Sequence, residues 1–328
     1  MARQPRRLSE LRAGFIGAGP RARSGHYPLI SLLDQVKLVA VCELDEELGQ
    51  RTAAEQGVAN VYTSHQQMLE REELDLVYCI MGEGYVLEPA LDCLRSGHHI
   101  MIEKPPGRDS GETRQLLAAA EAANRWAMVG LQRRFSAVTQ EALRRVRDRG
   151  GTTLAIGTFN KRAPDDNPLT TTLWNDLCHV VDLVRFMAGG EAVEVTAYRD
   201  ALRGGRDLDH YTALMRFDNG ATGCLVGHRA SGGRVLGFEV HGIGVGCYAR
   251  IPEALELYEE GDKQVLDGWD LAGVEEEQVR HYDGQLAMHR HFIDCILTNR
   301  QPSTDLRDVV HTAALLDRIE APERLTSG

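Results

Sequence analysis

The sequence predicts an α/β chain in two parts, a doubly wound parallel sheet followed by an α+β domain with an open, largely antiparallel sheet. Three observations carry this reading. From residue 13 to about 131, short apolar runs alternate with stretches of helical period. Beyond that point the texture changes to longer segments rich in Val, Thr, Tyr and Phe. Within the second part, 211–217, then Asp218-Asn219-Gly220, then 221–228 form a strong hairpin signal, because Asn-Gly accepts the positive φ angles of a tight turn.

The apolar runs 14–17, 36–42, 74–81, 99–102 and 126–131 read in order as strands of the parallel sheet. Between the last two, Asp109 and Glu112 stand at capping-box spacing, and Leu116, Leu117, Ala120 and Ala123 recur on one face, which makes this segment a crossover helix. A second helix covers roughly 136–149, and a third, 173–187, is inserted early in the second part. No repeat, low-complexity tract or Pro/Ser-rich linker interrupts the chain, so the junction near 130–150 is expected to be a helix rather than a tether. The domains expected are 1–131 and 132–328, with the C-terminal segment a candidate to pack back on the first.

Composition narrows the functional classes. The 328 residues, 43% of them hydrophobic, suffice for about two cores. Thirty-seven Lys and Arg against 48 Asp and Glu give a net charge of −11, the wrong sign for a phosphate-backbone partner. The seven cysteines are scattered, with no CxxC spacing, which argues against a disulfide framework and against a thiolate zinc site. No apolar run approaches the roughly 20 residues that span a bilayer, and residues 1–12 are basic but lead into a glycine turn instead of an apolar signal core. The expectation is a soluble, cytoplasmic protein with no nucleic-acid, membrane or metal partner.

Gly14-Phe15-Ile16-Gly17-Ala18-Gly19-Pro20-Arg21-Ala22 is a strand running into GxGxxA at the start of the first β-α unit, where the Rossmann dinucleotide fingerprint has to stand. Gly17 permits the tight turn, Gly19 lets a pyrophosphate approach the backbone, and Ala22 allows close helix packing. The second strand ends Val39-Ala40-Val41-Cys42-Glu43, about 21 residues beyond Ala22, with an acid where the adenosine ribose is expected. Glu43, with Asp45 nearby, would repel a 2′-phosphate, so NAD is favoured over NADP. Arg21 and Arg23 cut the other way, as candidate phosphate contacts or as a solvated helix start. Ile102-Glu103-Lys104-Pro105-Pro106 emerges at the carboxyl edge of the sheet, along which ligands bind.

Taken together, the glycine turn followed by Gly25-His26, the strand ending in Glu43, Glu103-Lys104-Pro105, Val129-Gly130-Leu131-Gln132-Arg133-Arg134-Phe135 and the helix bearing His179-Val180-Val181-Asp182 resemble the Gfo/Idh/MocA family, the relatives of glucose-fructose oxidoreductase and inositol dehydrogenase. The resemblance covers nearly the whole chain in the family's order and spacing. It implies an amino-terminal Rossmann domain, a carboxyl-terminal domain whose open sheet commonly forms a homodimer or homotetramer interface, and NAD(P)-dependent oxidation or reduction of sugars, cyclitols or their derivatives. By the same match Lys104 takes the place of the family's active-site lysine and His179 that of its catalytic histidine. The cofactor contacts it suggests are Gly17, Gly19, Pro20, Arg21, Ala22, Glu43, Met81, Glu103 and Lys104. Substrate contacts are expected from Lys104, Arg133, Asn175, His179 and His228.

The chemistry suits these residue types. Oxidising a secondary alcohol needs a base that titrates near neutral pH at its hydroxyl, the role for His179. An ammonium beside the same oxygen stabilises developing alkoxide, or polarises the ketone in reverse, the role for Lys104. The amine of one domain and the imidazole of the other are therefore expected to converge beside the same nicotinamide carbon. On an ideal helix Asn175, His179 and Asp182 share an arc of about 60°, while Leu173, Leu177, Val180 and Val184 form a buried face. The alternative for His179 is a satisfied histidine on a mostly apolar helix.

Two departures from the family stand out. Relatives often carry an aspartate four residues before the histidine; here that position is Asn175, and Asp176 can substitute only if the helix is rotated or begins irregularly. Met81-Gly82-Glu83-Gly84-Tyr85 replaces a Thr-Pro-Pro-like turn along the cofactor. These departures keep open a non-catalytic NAD-binding sensor or partner protein, and the resemblance itself leaves a second alternative, redox-assisted glycoside cleavage or epimerisation on retained NAD. Among the remaining features, His289-x-His291 lacks a third metal ligand, 275–277 reads as a solvated acidic run, and His210, Tyr211, His228 and Arg229 are candidates for hydrogen bonds to sugar hydroxyls or for a buried subunit contact.

Overall fold

Strands buried on both faces need continuous apolar sequence, and the first half of the chain supplies it. In the computed structural model, which describes residues 10–82, 84–162, 170–203, 208–274 and 283–321, these runs form a six-stranded sheet of order β3-β2-β1-β4-β5-β6. The strands are β1 (Leu11–Ile16), β2 (Val36–Cys42), β3 (Asn60–Tyr62), β4 (Leu76–Cys79), β5 (His99–Ile102) and β6 (Ala127–Val129), and every pairing is parallel. Helices α1 (Tyr27–Ile30), α2 (Glu46–Glu55), α3 (His65–Arg71), α4 (Leu87–Arg95) and α5 (Ser110–Ala123) connect them. Strand β3 is absent from the five runs read in the sequence; three residues beginning with a polar Asn carry too little periodicity to register.

The chain divides into two units. Residues 1–107, 111–130 and 288–308 form the first, and 108–110, 131–287 and 309–328 the second. A single cut near residue 131 therefore does not describe it. The return of 288–308 completes the first sheet: the Ala127 amide donates to Asp305 Oδ2 at 3.0 Å, the Val129 amide to the Thr304 carbonyl at 2.9 Å, and Thr304 Oγ1 to the Val129 carbonyl at 2.8 Å. These bonds occupy the edge of β6, which would otherwise expose unpaired backbone groups.

The second unit is built on an eight-stranded sheet of order β14-β13-β12-β11-β7-β10-β9-β8. Its strands are β7 (Leu154–Arg162), β8 (Ala192–Asp200), β9 (His210–Phe217), β10 (Thr222–His228), β11 (Ala230–Gly242), β12 (Val245–Arg250), β13 (Ala254–Glu259) and β14 (Asp262–Asp267). All pairings are antiparallel except β10 with β7. The β9–β10 hairpin turns at Gly220, with φ +88°. Its Asn219 side chain donates to the Ala188 carbonyl at 2.8 Å and so ties the turn to the end of a helix. That helix, α7 (Cys178–Ala188), follows α6 (Ala137–Asp148); α8 (Gly268–Ala272), α9 (Gln285–Thr298) and α10 (Leu306–Glu320) come after the sheet among the described residues.

Helix α7 lies close on the sheet because glycines face it. A Cβ at Gly157 on β7 would stand 2.4 Å from Val180 Cγ2, and one at Gly227 on β10 would stand 2.3 Å from Leu177 Cδ1. Val180, Val181, Leu183 and Val184 are all fully buried, so the helix is enclosed nearly all round rather than on one stripe. No helix among the described residues is long and apolar enough to cross a membrane.

Candidate active site

The order of the first sheet reverses beside β1, with β2 on one side and β4 on the other, and ligands of doubly wound sheets bind outside the carboxyl ends of the strands at such a switch. The loops after β1, β4 and β5 leave from that edge, carrying the glycine turn, Met81 and Lys104. Gly17 has φ +103°, and a Cβ there would lie 2.2 Å from the Ile80 carbonyl oxygen, so only glycine fits. At Gly19 a Cβ would meet nothing within 4 Å, which leaves open space above the backbone. Ala22 is buried, Pro20 exposed, and Met81 Cγ would stand 3.2 Å from a Cβ at Gly17. The helix after the turn opens with a π turn, Ala22–His26.

Glu43 leaves the end of β2 with Oε2 accepting from the Ala18 amide at 2.7 Å and Oε1 from the Asp45 amide at 3.3 Å. The carboxylate is thereby held at the rim of the turn, where it can also accept ribose hydroxyls. Leu44, 84% exposed, offers an apolar surface beside it that sequence reading passed over. These residues fit a dinucleotide with an unphosphorylated adenosine ribose.

Arg21, which follows the glycine turn, is tied to a carboxylate: its Nε donates to Glu103 Oε1 at 2.7 Å. The same oxygen accepts from His26 Nε2 at 2.8 Å, while Oε2 accepts from the Lys104 amide at 3.1 Å. Burial alone would raise the Glu103 carboxyl, but the His26 hydrogen bond and the charges of Arg21, His26 and Lys104 outweigh it and hold the group well below the usual carboxylate range. Glu103, expected among the cofactor contacts, is thus a buried hub of the protein's own interactions. The hub was missed because its partners lie 77 and 82 residues away in sequence. Lys104 itself is half-buried.

In the second unit, His179 sits near the start of α7 and is 9% exposed. A π turn, Leu173–Leu177, runs directly into the helix. It holds one residue more than an α turn, so the ideal-helix angle between Asn175 and His179 does not carry across it. Asp176, the alternative acid, faces Lys161 Nζ at 3.3 Å and the guanidinium of Arg229, a side chain whose burial lowers its pKa.

Asp182, three residues beyond His179 in the same helix, is committed to the protein's own contacts. Its Oδ2 accepts from Arg134 Nε at 2.7 Å and its Oδ1 from Arg134 Nη2 at 2.5 Å and Thr312 Oγ1 at 2.9 Å, all buried.

The remaining candidates scatter. Arg133 Nη1 lies 3.6 Å from Asp283 Oδ2. His228 alternates with Gly227, which faces Leu177 in the π turn leading into α7, and therefore points from the opposite face of the sheet to the helix bearing His179. There it meets His210 edge-on with centroids 5.4 Å apart. Tyr211, by contrast, is buried on the α7 side. His289 is wholly buried and His291 Nε2 accepts from the Ser303 amide at 3.0 Å, so neither is free to bind metal as part of a pair. Tyr85 is 71% exposed; Glu83 and 275–277 lie outside the described residues.

A model of an oxidoreductase family with an NAD-binding Rossmann fold, GFO_IDH_MocA, matches residues 11–131, and the GFO/IDH/MocA C-terminal domain matches 153–243. The chain belongs to the Gfo/Idh/MocA family. Among curated members it is 30% identical to a D-glucoside 3-dehydrogenase of Escherichia coli (strain K12), over 40% of this chain and 38% of that protein. It is 27% identical to an inositol 2-dehydrogenase of Saccharopolyspora erythraea, over 56% of each chain. The match thus spans between about a third and three-fifths of these Gfo/Idh/MocA relatives. A dehydrogenase from Chromobacterium violaceum superposes with a TM-score of 0.87 over 95% of both chains at 19% identity, which shows the shared fold. NAD is the cofactor class of the family model.

Proposed function

We propose that this chain is an NAD-dependent dehydrogenase or ketoreductase acting on a secondary alcohol or ketone of a sugar, cyclitol or derivative. The observation that carries it is the grouping, at one carboxyl edge of one sheet, of a glycine turn open above Gly19, an acid at the end of β2 and Lys104 beyond β5. The turn and Glu43 would hold NAD, which supplies the hydride acceptor. Lys104 holds the reacting oxygen and stabilises its negative charge. His179 takes the hydroxyl proton, or returns it to the ketone oxygen in the reverse direction. Glu43 sets the preference for NAD over NADP. The family members that act on a glucoside and on inositol support the substrate class.

The open face of the second sheet supports a homodimer or homotetramer. Opposite α7, one cross-strand row carries Leu214, Cys224, Ile156, Tyr248 and Val265, an apolar stripe interrupted by Glu239 and Glu256. Leu214 is 58% exposed and Val265 63%, large apolar groups that association would cover.

The test is a screen of sugars and cyclitols with NAD and with NADP, following reduced-nicotinamide absorbance, repeated with Lys104→Ala and His179→Ala. Turnover lost by about a hundredfold or more in both variants is the expected result. Undiminished turnover in both removes the mechanism, and preference for NADP removes the role of Glu43. Product formed without net reduced nicotinamide would reassign the chain to transient oxidation on retained NAD, and binding with no turnover to a sensor.

A further inference from the structure

Arg21 directly follows the glycine turn, where a guanidinium would ordinarily be read as a phosphate ligand. Although 44% of its side chain is exposed, its Nε is committed to Glu103 Oε1 at 2.7 Å. Two more groups share that carboxylate: His26 Nε2 on the same oxygen and the Lys104 amide on the other. Because the carboxylate is held ionised, the bond from the first runs Nε2–H to Oε1. The surroundings leave the hub no slack. A Cβ at Gly130 would lie 3.3 Å from Glu103 Oε2, and the His26 ring, fully buried, is backed edge-on by His289 with centroids 5.1 Å apart. His289 is itself fully buried and pushed well below the ordinary histidine range, first by burial and then by the neighbouring His26, so it backs His26 as a neutral ring.

One carboxylate therefore joins the segment after β1 to the segment after β5. We propose that Glu103 is a positioning residue, which locks the Lys104 main chain to the glycine turn through Arg21 and His26, and that Arg21 serves the dinucleotide and the lysine through Glu103 rather than as a ligand of the diphosphate. The inference rests on the function proposed above for its meaning, but not for its test.

Two measurements on the full chain decide it. The first needs neither substrate nor cofactor: acetylation of Lys104 by limiting acetic anhydride, read by peptide mass spectrometry against exposed Lys37 as internal standard. If Arg21 acts through the carboxylate, Arg21→Ala and Glu103→Gln each raise the Lys104 to Lys37 ratio at least threefold. A diphosphate ligand would leave that ratio unchanged in Arg21→Ala, and an unchanged ratio overturns the proposal. The second is an NADH fluorescence titration of wild type, both single variants and the double variant. Residues acting through one another are non-additive. Each single variant is expected to weaken NADH about tenfold and the double by much less than their product, about tenfold to thirtyfold. A loss near a hundredfold in the double, or an unaltered affinity in Arg21→Ala, overturns it. Should Glu103→Gln fail to fold, Arg21→Ala alters only a half-exposed side chain and the acetylation ratio still decides. A chain that turns over no polyol would sink the proposed function and leave the acetylation result standing.

Discussion

Gly17 and Gly19 stand two residues apart in one turn, yet their replacement should produce opposite phenotypes. Alanine at 17 must adopt φ +103°, in the left-handed region that costs an L-residue about 1–2 kcal/mol, and its Cβ would sit 2.2 Å from the Ile80 carbonyl oxygen. Relieving that contact means shifting the end of β4 by about 1 Å, comparable to core overpacking at about 1–3 kcal/mol. The sum, near 3 kcal/mol, corresponds to a melting temperature lower by about 6–12 °C for a domain of 150–250 residues. Alanine at 19 meets nothing within 4 Å, so stability should stay within about 0.5 kcal/mol of wild type. Its methyl group, however, occupies the space a diphosphate needs. Losing one charge-assisted hydrogen bond to the backbone is worth about 1.5–3 kcal/mol, or roughly tenfold to a hundredfold in affinity. Differential scanning fluorimetry and an NADH fluorescence titration of both variants read the two effects separately. Wild-type NADH affinity in Gly19→Ala would refute the assignment of this turn to the diphosphate, and a wild-type melting temperature in Gly17→Ala would refute the steric argument.

Two further outcomes follow from buried charge. Asp182→Ala leaves the Arg134 guanidinium buried without its carboxylate and should cost about 3–5 kcal/mol in urea unfolding, most of it recovered in Asp182→Leu/Arg134→Met; a kcat loss without a stability loss would contradict this structural role for Asp182. His99 is pushed down to about 4, first by burial and then by the Arg125 charge, and its Nδ1 accepts from the Trp126 amide at 3.0 Å. The folded state keeps it neutral while the unfolded chain takes up the proton nearer pH 6.5. Its contribution is therefore complete above pH 6.5 and declines as pH falls toward 4, by roughly 3 kcal/mol. His99→Asn, which keeps the acceptor and does not titrate, should flatten the urea midpoint between pH 6.5 and 4.5, and an equal slope in both proteins would contradict this.

What could be read from the sequence was what local constraint writes there. The turn at Gly17, the acid ending β2, the lysine after β5 and the Asn219-Gly220 hairpin each reflect a requirement met within a few residues. The features that escaped depend on distant partners or on helix irregularity. Nothing near Glu103 signals that Arg21 and His26 share its carboxylate. Asp182 looked like a neighbour of His179 because an ideal helix puts it there, while Arg134, 48 residues earlier, claims it. The π turn at Leu173–Leu177 has no periodic signature, since a single extra residue leaves the apolar pattern of Leu173, Leu177 and Val180 intact. His228 was read as part of a hairpin without its facing, which follows only once Gly227 is known to lie under Leu177.

The return of residues 288–308 to the first sheet bears on how the protein is made. When residue 131 has left the ribosome, every strand of that sheet exists, but Thr304 and Asp305, which seal β6, are still about 175 residues from emerging. At about 5–20 residues per second the nascent sheet waits roughly 10–35 s with one border bare. A gene fragment ending at 131 would never close that border, and appending 288–308 through a short spacer is the way to make the dinucleotide half as a separate product.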